Sequence, residues 1–180
     1  RGILRWSIIT DISEYCFALD SSRFKYYLSK ALNANPNEVE GFVIGGHGDT
    51  TMIPMKRFAA WRGMPVTNFL STEELDKIAA DTMVGGATLT KLLGTSAWYA
   101  PGAAAAEVVE AVLHDQKAMI PCSALLEGEY GHKDLCIGVP CILGRNGIEK
   151  IVELKLNEEE QAAFDKSAAA VHKTNEALPC

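Results

Sequence analysis

The segment Gly45-Gly46-His47-Gly48-Asp49 concentrates the chemistry this sequence offers. Glycines on both sides of a histidine, just past an apolar run, let the backbone bend sharply and present the imidazole. Histidine titrates near neutrality, so the ring can take or give a proton during a reaction. A turn histidine with polar neighbours reads equally well from the loop alone. Asp20 and Arg23 form a second constellation, at i and i+3 near a helix start and so on one face. A carboxylate there can orient a histidine and stabilise its protonated form. The guanidinium can grip a substrate carboxylate through two parallel hydrogen bonds. Taken alone, the pair reads rather as an ordinary intrahelical ion pair worth about 0.3–0.5 kcal/mol.

The remaining polar groups carry less. His114 closes a helix, where a cation suits the dipole, and His132 and His172 fall in a polar turn and a charged helix. A metal site on His47 and Asp49 needs further ligands at matching spacing, and the sequence supplies none. Gly46-His47-Gly48-Asp49-Thr50-Thr51 fails the dinucleotide fingerprint at its last glycine, and no phosphate-loop lysine is present.

The elements that must position these groups follow from periodicity. Phe24, Tyr27, Leu28, Ala31 and Leu32 give an amphipathic helix, with Leu19 to Ser22 offering its cap and Pro36 ending the segment. Val39 to Gly45 reads as one strand running into the histidine loop. Ser71-Thr72-Glu73-Glu74 is a capping box that opens a helix to about Val84, with Gly85-Gly86 breaking or kinking it before a further stretch to Leu93. Pro101 precedes an Ala-rich helix. Strands follow at Ala118 to Cys122, Cys136 to Leu143 and Ile148 to Leu154, the last two joined by a turn at Arg145-Asn146-Gly147. Asn157 caps a final helix to about Ala177. The order is α+β, an antiparallel strand meander packed with long helices, without the βαβ alternation of a Rossmann domain.

Composition sets the outer limits. The 180 residues are 48% hydrophobic and 22% charged, with 15 Gly and 7 Pro, which excludes disordered and collagen-like classes. A net charge of −6 leaves no basic footprint for nucleic acid or anionic membrane. No apolar run reaches the ~20 residues of a membrane helix. Five cysteines (Cys16, Cys122, Cys136, Cys141 and Cys180) are odd in number and lack CxxC spacing, which reads as reduced thiols in a cytoplasmic protein. The chain begins at Arg1 without an initiator methionine, so it is expected to be a piece of something longer.

Leu19-Asp20-Ser21-Ser22-Arg23-Phe24 and Val43-Ile44-Gly45-Gly46-His47-Gly48-Asp49-Thr50 together resemble the catalytic half of the lactate/malate dehydrogenase family. Gly94-Thr95-Ser96-Ala97-Trp98-Tyr99-Ala100-Pro101, Gly128-Glu129-Tyr130-Gly131, Gly138-Val139-Pro140 and Leu143-Gly144-Arg145-Asn146-Gly147 fit it in the same order. The resemblance is strongest to malate dehydrogenases of the lactate-dehydrogenase-like type. It implies reversible hydride transfer between NAD and C2 of a 2-hydroxy acid, here malate and oxaloacetate of the tricarboxylic acid cycle. It further implies His47 as the proton donor and acceptor, Asp20 as its partner, Arg23 as the clamp on the C1 carboxylate, and Ser96 and Ala97 as lining of the substrate pocket. A substrate-binding and catalytic domain over residues 19–180 follows, with residues 1–18 a poorly matching leader.

The family's partner elements are a nucleotide-binding Rossmann domain, expected to be missing from this chain, and further copies in a homo-oligomer. Without that domain the chain alone is expected to be inactive. Two alternatives stand beside this reading: half of a lactate or other 2-hydroxy acid dehydrogenase, and a non-enzymatic assembly module that kept the fold.

Overall fold

In the computed structural model, which describes residues 16–176, α1 (Cys16–Leu32) begins a turn before the expected cap. Leu19 to Ser22 lie inside the helix. The reason is tertiary. Phe17 is 3% exposed and its ring fills the space above Gly138, where a Cβ would stand 2.2 Å from it. Burying an aromatic ring of that kind extends the helix beyond what the local cap residues specify. Asp20 is thereby carried off the helix end and into the protein, fully buried.

The stretch expected as one strand is two, in two sheets. β1 (Val39–Glu40) pairs with β4 (Ala60–Trp61), which pairs with β5 (Met64–Pro65). β2 (Val43–Gly45) instead joins a five-stranded antiparallel sheet. The N–H of Val43 donates to the Ser21 hydroxyl of α1 at 3.0 Å, a side chain taking the place of a ladder partner where the strand changes sheets. β3 (Met52–Pro54), β4 and β5 were not expected, since two or three residues are too few to show a period.

The large sheet contains the expected meander, with its first two strands longer than expected. β6 (Ala118–Glu127), β7 (Lys133–Gly144) and β8 (Gly147–Ile151) run antiparallel in succession, and the turn at Arg145-Asn146 closes the last hairpin. β8 ends at Ile151, short of Leu154. Tyr130 meets the chain beyond it: its hydroxyl donates to the Val152 carbonyl at 2.7 Å and accepts from the Leu154 N–H at 3.0 Å. β2 meets the middle of β7 at Gly45 opposite Gly138.

Helix α2 (Thr72–Leu93) runs unbroken through Gly85-Gly86 and ends on Gly94. Each glycine costs about 1 kcal/mol inside a helix relative to alanine. Here the pair lets α2 close on α1: a Cβ at Gly86 would stand 3.1–3.3 Å from the Arg23 guanidinium, and one at Gly85 3.3 Å from its stem. Pro101 lies in the first turn of α3 (Tyr99–Leu113) instead of before it, where its missing N–H has no intrahelical acceptor to lose. Asn157 and Glu160 cap α4 (Glu158–Glu176) reciprocally, at 2.8 and 2.9 Å. Ala177, the expected end of that helix, lies outside the described residues, as do residues 1–15 of the expected leader.

Two clusters form the core, and α1 feeds both. Ala18 and Leu19 pack with Leu126, Leu135, Ile137, Val139 and Phe164, while Phe24 and Leu28 pack with Val39, Val43, Val66 and Ile78. The capping box of α2 gives a local test of the sequence reading. Ser71 Oγ accepts from the Glu74 N–H at 3.2 Å, and Glu74 Oε2 accepts from the Ser71 N–H at 2.8 Å. Ser71→Ala is expected to lower stability by about 1 kcal/mol. Urea unfolding should show this as a lower midpoint with an unchanged slope.

Candidate functional site

Asp20 joins the two constellations singled out in the sequence. Its Oδ2 accepts from His47 Nδ1–H at 2.6 Å and its Oδ1 from Arg23 Nη1–H at 2.8 Å. The carboxylate is fully buried, Arg23 is 20% exposed and His47 47%. A buried carboxylate is stable only with such partners. Here both partners reach towards solvent, so the group presents an imidazole and a guanidinium side by side on an anionic base.

The electrostatics follow from that arrangement. Asp20 is the main cause that lifts the His47 pKa from the usual value near 6.5 to about 10. Cys16, one turn before Asp20, adds to the rise, and partial burial opposes it. His47 is therefore an imidazolium at neutral pH. Its Nδ1 is committed to Asp20, which fixes the ring and leaves Nε2, across the imidazole, as the nitrogen able to exchange a proton. Phe17 stands edge-on to the same ring at 6.3 Å between centroids. No hydrogen bond beyond that to Asp20 is made by the Arg23 guanidinium among the described residues, so its other N–H groups are available to an anion.

Three elements position these side chains. Asp20 and Arg23 come from one face of α1, and the α2 glycine pair shapes the space that Arg23 occupies. His47 sits in the loop between β2 and β3, which leaves the sheet at Gly45. That residue has φ +94, and a Cβ there would stand 2.5 Å from the Thr51 carbonyl, so only glycine fits. Within the loop, Thr51 Oγ1 accepts from the Gly48 N–H at 2.9 Å, and the Thr51 N–H donates to the Gly48 carbonyl at 2.9 Å.

The other candidates stand apart from this cluster. Ser96 is exposed and Ala97 half-buried in the segment between α2 and α3. Neither makes a hydrogen bond or ion pair to Asp20, Arg23 or His47 among the described residues. His114 ends α3 within 3.9 Å of Glu110, and His132 pairs with Asp165 at 2.9 Å. Asp49 is exposed, and no group of three or more His, Cys, Asp or Glu side chains among the described residues is placed to hold a metal. A cavity of about 390 Å³ lies on the other side of α1, beside Ser22, Lys25, Phe42, Phe58 and Glu107, and does not touch the cluster.

The sequence reading missed two contributors. Gly85-Gly86 carried a signal, since a glycine pair amid strong helix formers marks a close approach as readily as a break. Ser167 of α4, which bonds the histidine loop from beneath, carried none.

Among the described residues there is neither a parallel β-α-β unit nor a glycine fingerprint. No described helix is long and apolar enough to cross a membrane.

Comparison with known proteins places this cluster in context. Residues 18–178 match the lactate/malate dehydrogenase, alpha/beta C-terminal domain. The chain is 75% identical over 161 residues to the malate dehydrogenase of Bacteroides thetaiotaomicron, covering 89% of this chain and 51% of that protein. It is 64% identical to that of Flavobacterium frigidimaris, covering 89% of this chain and 52% of the relative. Among solved structures, the malate dehydrogenase of Salinibacter ruber superposes with a TM-score of 0.85 at 42% identity, covering 88% of this chain and 52% of that one. The lactate dehydrogenase of Eimeria maxima with NADH and oxamate gives 0.86 at 37%, covering 89% and 52%. The chain thus spans about half the length of the curated relatives it matches.

Proposed function

The chain belongs to the lactate/malate dehydrogenase family, and from that premise we propose that it is the substrate-binding and catalytic half of an NAD-dependent malate dehydrogenase. The observation that carries the reading is the single buried carboxylate of Asp20 bonded at once to His47 and Arg23. Malate is preferred over lactate as substrate because the 75% and 64% identical relatives are named malate dehydrogenases.

The geometry divides the work between the two cations. Arg23 pairs with the C1 carboxylate of a 2-oxo or 2-hydroxy dicarboxylate through the N–H groups that Asp20 leaves over. His47, as imidazolium, donates from Nε2 to the keto oxygen when oxaloacetate is reduced, and takes the same proton back from the malate hydroxyl. Asp20 keeps the imidazolium in place and compensates its charge throughout. Ser96 and Ala97 line the far wall of the pocket in this proposal. The hydride belongs to the nicotinamide cofactor, held by a nucleotide-binding half rather than by the residues described above.

Leu92, Leu93, Trp98, Tyr99 and Leu113 are all more than half exposed, apolar surface of the kind that a nucleotide-binding half and further copies in a homo-oligomer would cover. An odd number of cysteines without CxxC spacing supports a reducing, cytoplasmic setting, and the reaction is that of the tricarboxylic acid cycle.

The 180-residue chain is expected to bind oxaloacetate in calorimetry, with binding abolished in Arg23→Gln, and to oxidise no NADH. Turnover by the pure chain would contradict the division of labour. Self-association without any dicarboxylate binding would favour the assembly-module reading.

A further inference from the structure

The loop that carries His47 rests on a residue far away in the sequence. Ser167 is 2% exposed on α4, and its hydroxyl both donates to and accepts from this loop. It accepts from the Gly46 N–H at 2.8 Å and donates to the Thr51 carbonyl at 2.8 Å. Those two backbone groups also meet each other, Gly46 N–H to Thr51 carbonyl at 3.2 Å, so the hydroxyl sits astride the neck of the loop. Gly45, next to it, has no room for a side chain between Thr51 and Ser167. The neighbours on α4 are small residues, Ala168 to Ala170, and Val171 packs against Gly46. Nothing else on that helix bonds the loop among the described residues.

We propose that Ser167 is a positioning residue, which holds the neck of the His47 loop against α4 so that the imidazole meets Asp20 at bonding distance. It makes no hydrogen bond to His47 itself among the described residues, so its effect passes through the Gly46 and Thr51 backbone. The inference rests on the acid/base reading of His47, although the contact it concerns is testable without turnover. A buried hydroxyl that bonds two main-chain groups fixes their separation and direction together. With Gly46 immediately before His47, a loosened neck moves the ring relative to a carboxylate set rigidly in α1. A hydrogen bond of 2.6 Å is sensitive to displacements of a few tenths of an ångström.

The test is the titration of the His47 ring by NMR in the 180-residue chain, its signal assigned by loss in His47→Gln. Wild type should titrate near pH 10. In Ser167→Ala the midpoint should fall by about one pH unit or more, as the contact with Asp20 lengthens. Ser29→Ala is the control. It removes another buried hydroxyl, one that bonds only the Tyr26 carbonyl of its own helix, and should leave the midpoint where it is. If Ser167→Ala does not fold, Ser167→Cys is read in the same way, since it keeps the volume and weakens the hydrogen bonds. An unchanged midpoint in the folded Ser167 variant overturns the proposal. So does an equal fall in Ser29→Ala, which would mark a general loosening. Neither outcome bears on the dehydrogenase reading, whose own failure is the absence of dicarboxylate binding.

Discussion

Asp20→Asn is expected to bring the His47 midpoint from about 10 down towards the ordinary value near 6.5, because the carboxylate is the main cause of the rise. Asparagine keeps the shape and one acceptor but removes the charge. The sign of the stability effect follows. A group whose pKa is raised on folding stabilises the folded state below its unfolded pKa, and that contribution is lost as pH rises through the folded pKa. The wild-type chain should therefore lose thermal stability relative to Asp20→Asn between about pH 6.5 and pH 10. Breaking a fully buried ion pair costs about 3–5 kcal/mol. The cost here should fall short of that, since His47 and Arg23 both reach water and can be solvated when the carboxylate is gone. Melting curves of the two proteins across this range would decide it. Parallel curves would mean that Asp20 does not hold His47 protonated.

The same residues show how far a sequence discloses a site. Their types and spacing marked the candidates that the fold brings together: a histidine between glycines, and a carboxylate and a guanidinium at i and i+3. Signals written in neighbouring residues were also legible, such as the Ser71 and Asn157 caps and the Arg145-Asn146 turn, because local hydrogen bonds and turn geometry decide them. Asp20 reads as a cap residue locally, whereas its position depends on Phe17 docking over Gly138, a contact spanning 121 residues of chain. The Val39 to Gly45 stretch looked continuous because a change of sheet leaves no period to read. Gly85-Gly86 reads as a break in the sequence, whereas in the fold the pair makes room for Arg23. In each case a tertiary contact overrode a local preference, and in each case the contact lies on α1 or beside it, where the site is built.

The largest expected effect belongs to His47 itself. In a dehydrogenase where this chain is joined to its nucleotide-binding half, His47→Gln should lower kcat for oxaloacetate reduction by about 10²–10⁴-fold, the usual contribution of a positioned acid/base. Glutamine still offers an N–H to the substrate oxygen but has no proton to give, so the loss should fall on kcat more than on KM. Arg23→Gln should show the opposite emphasis, since a carboxylate clamp contributes to binding before and during the reaction. The pH dependence separates the two directions. With His47 protonated up to about pH 10, oxaloacetate reduction finds its proton donor ready across the neutral range. Malate oxidation must first free the imidazole, so its rate should climb with pH, and His47→Gln should abolish that climb. A variant with near-parental kcat, or with the climb intact, would remove His47 from the proton path and leave the Asp20 cluster as a structural ion pair.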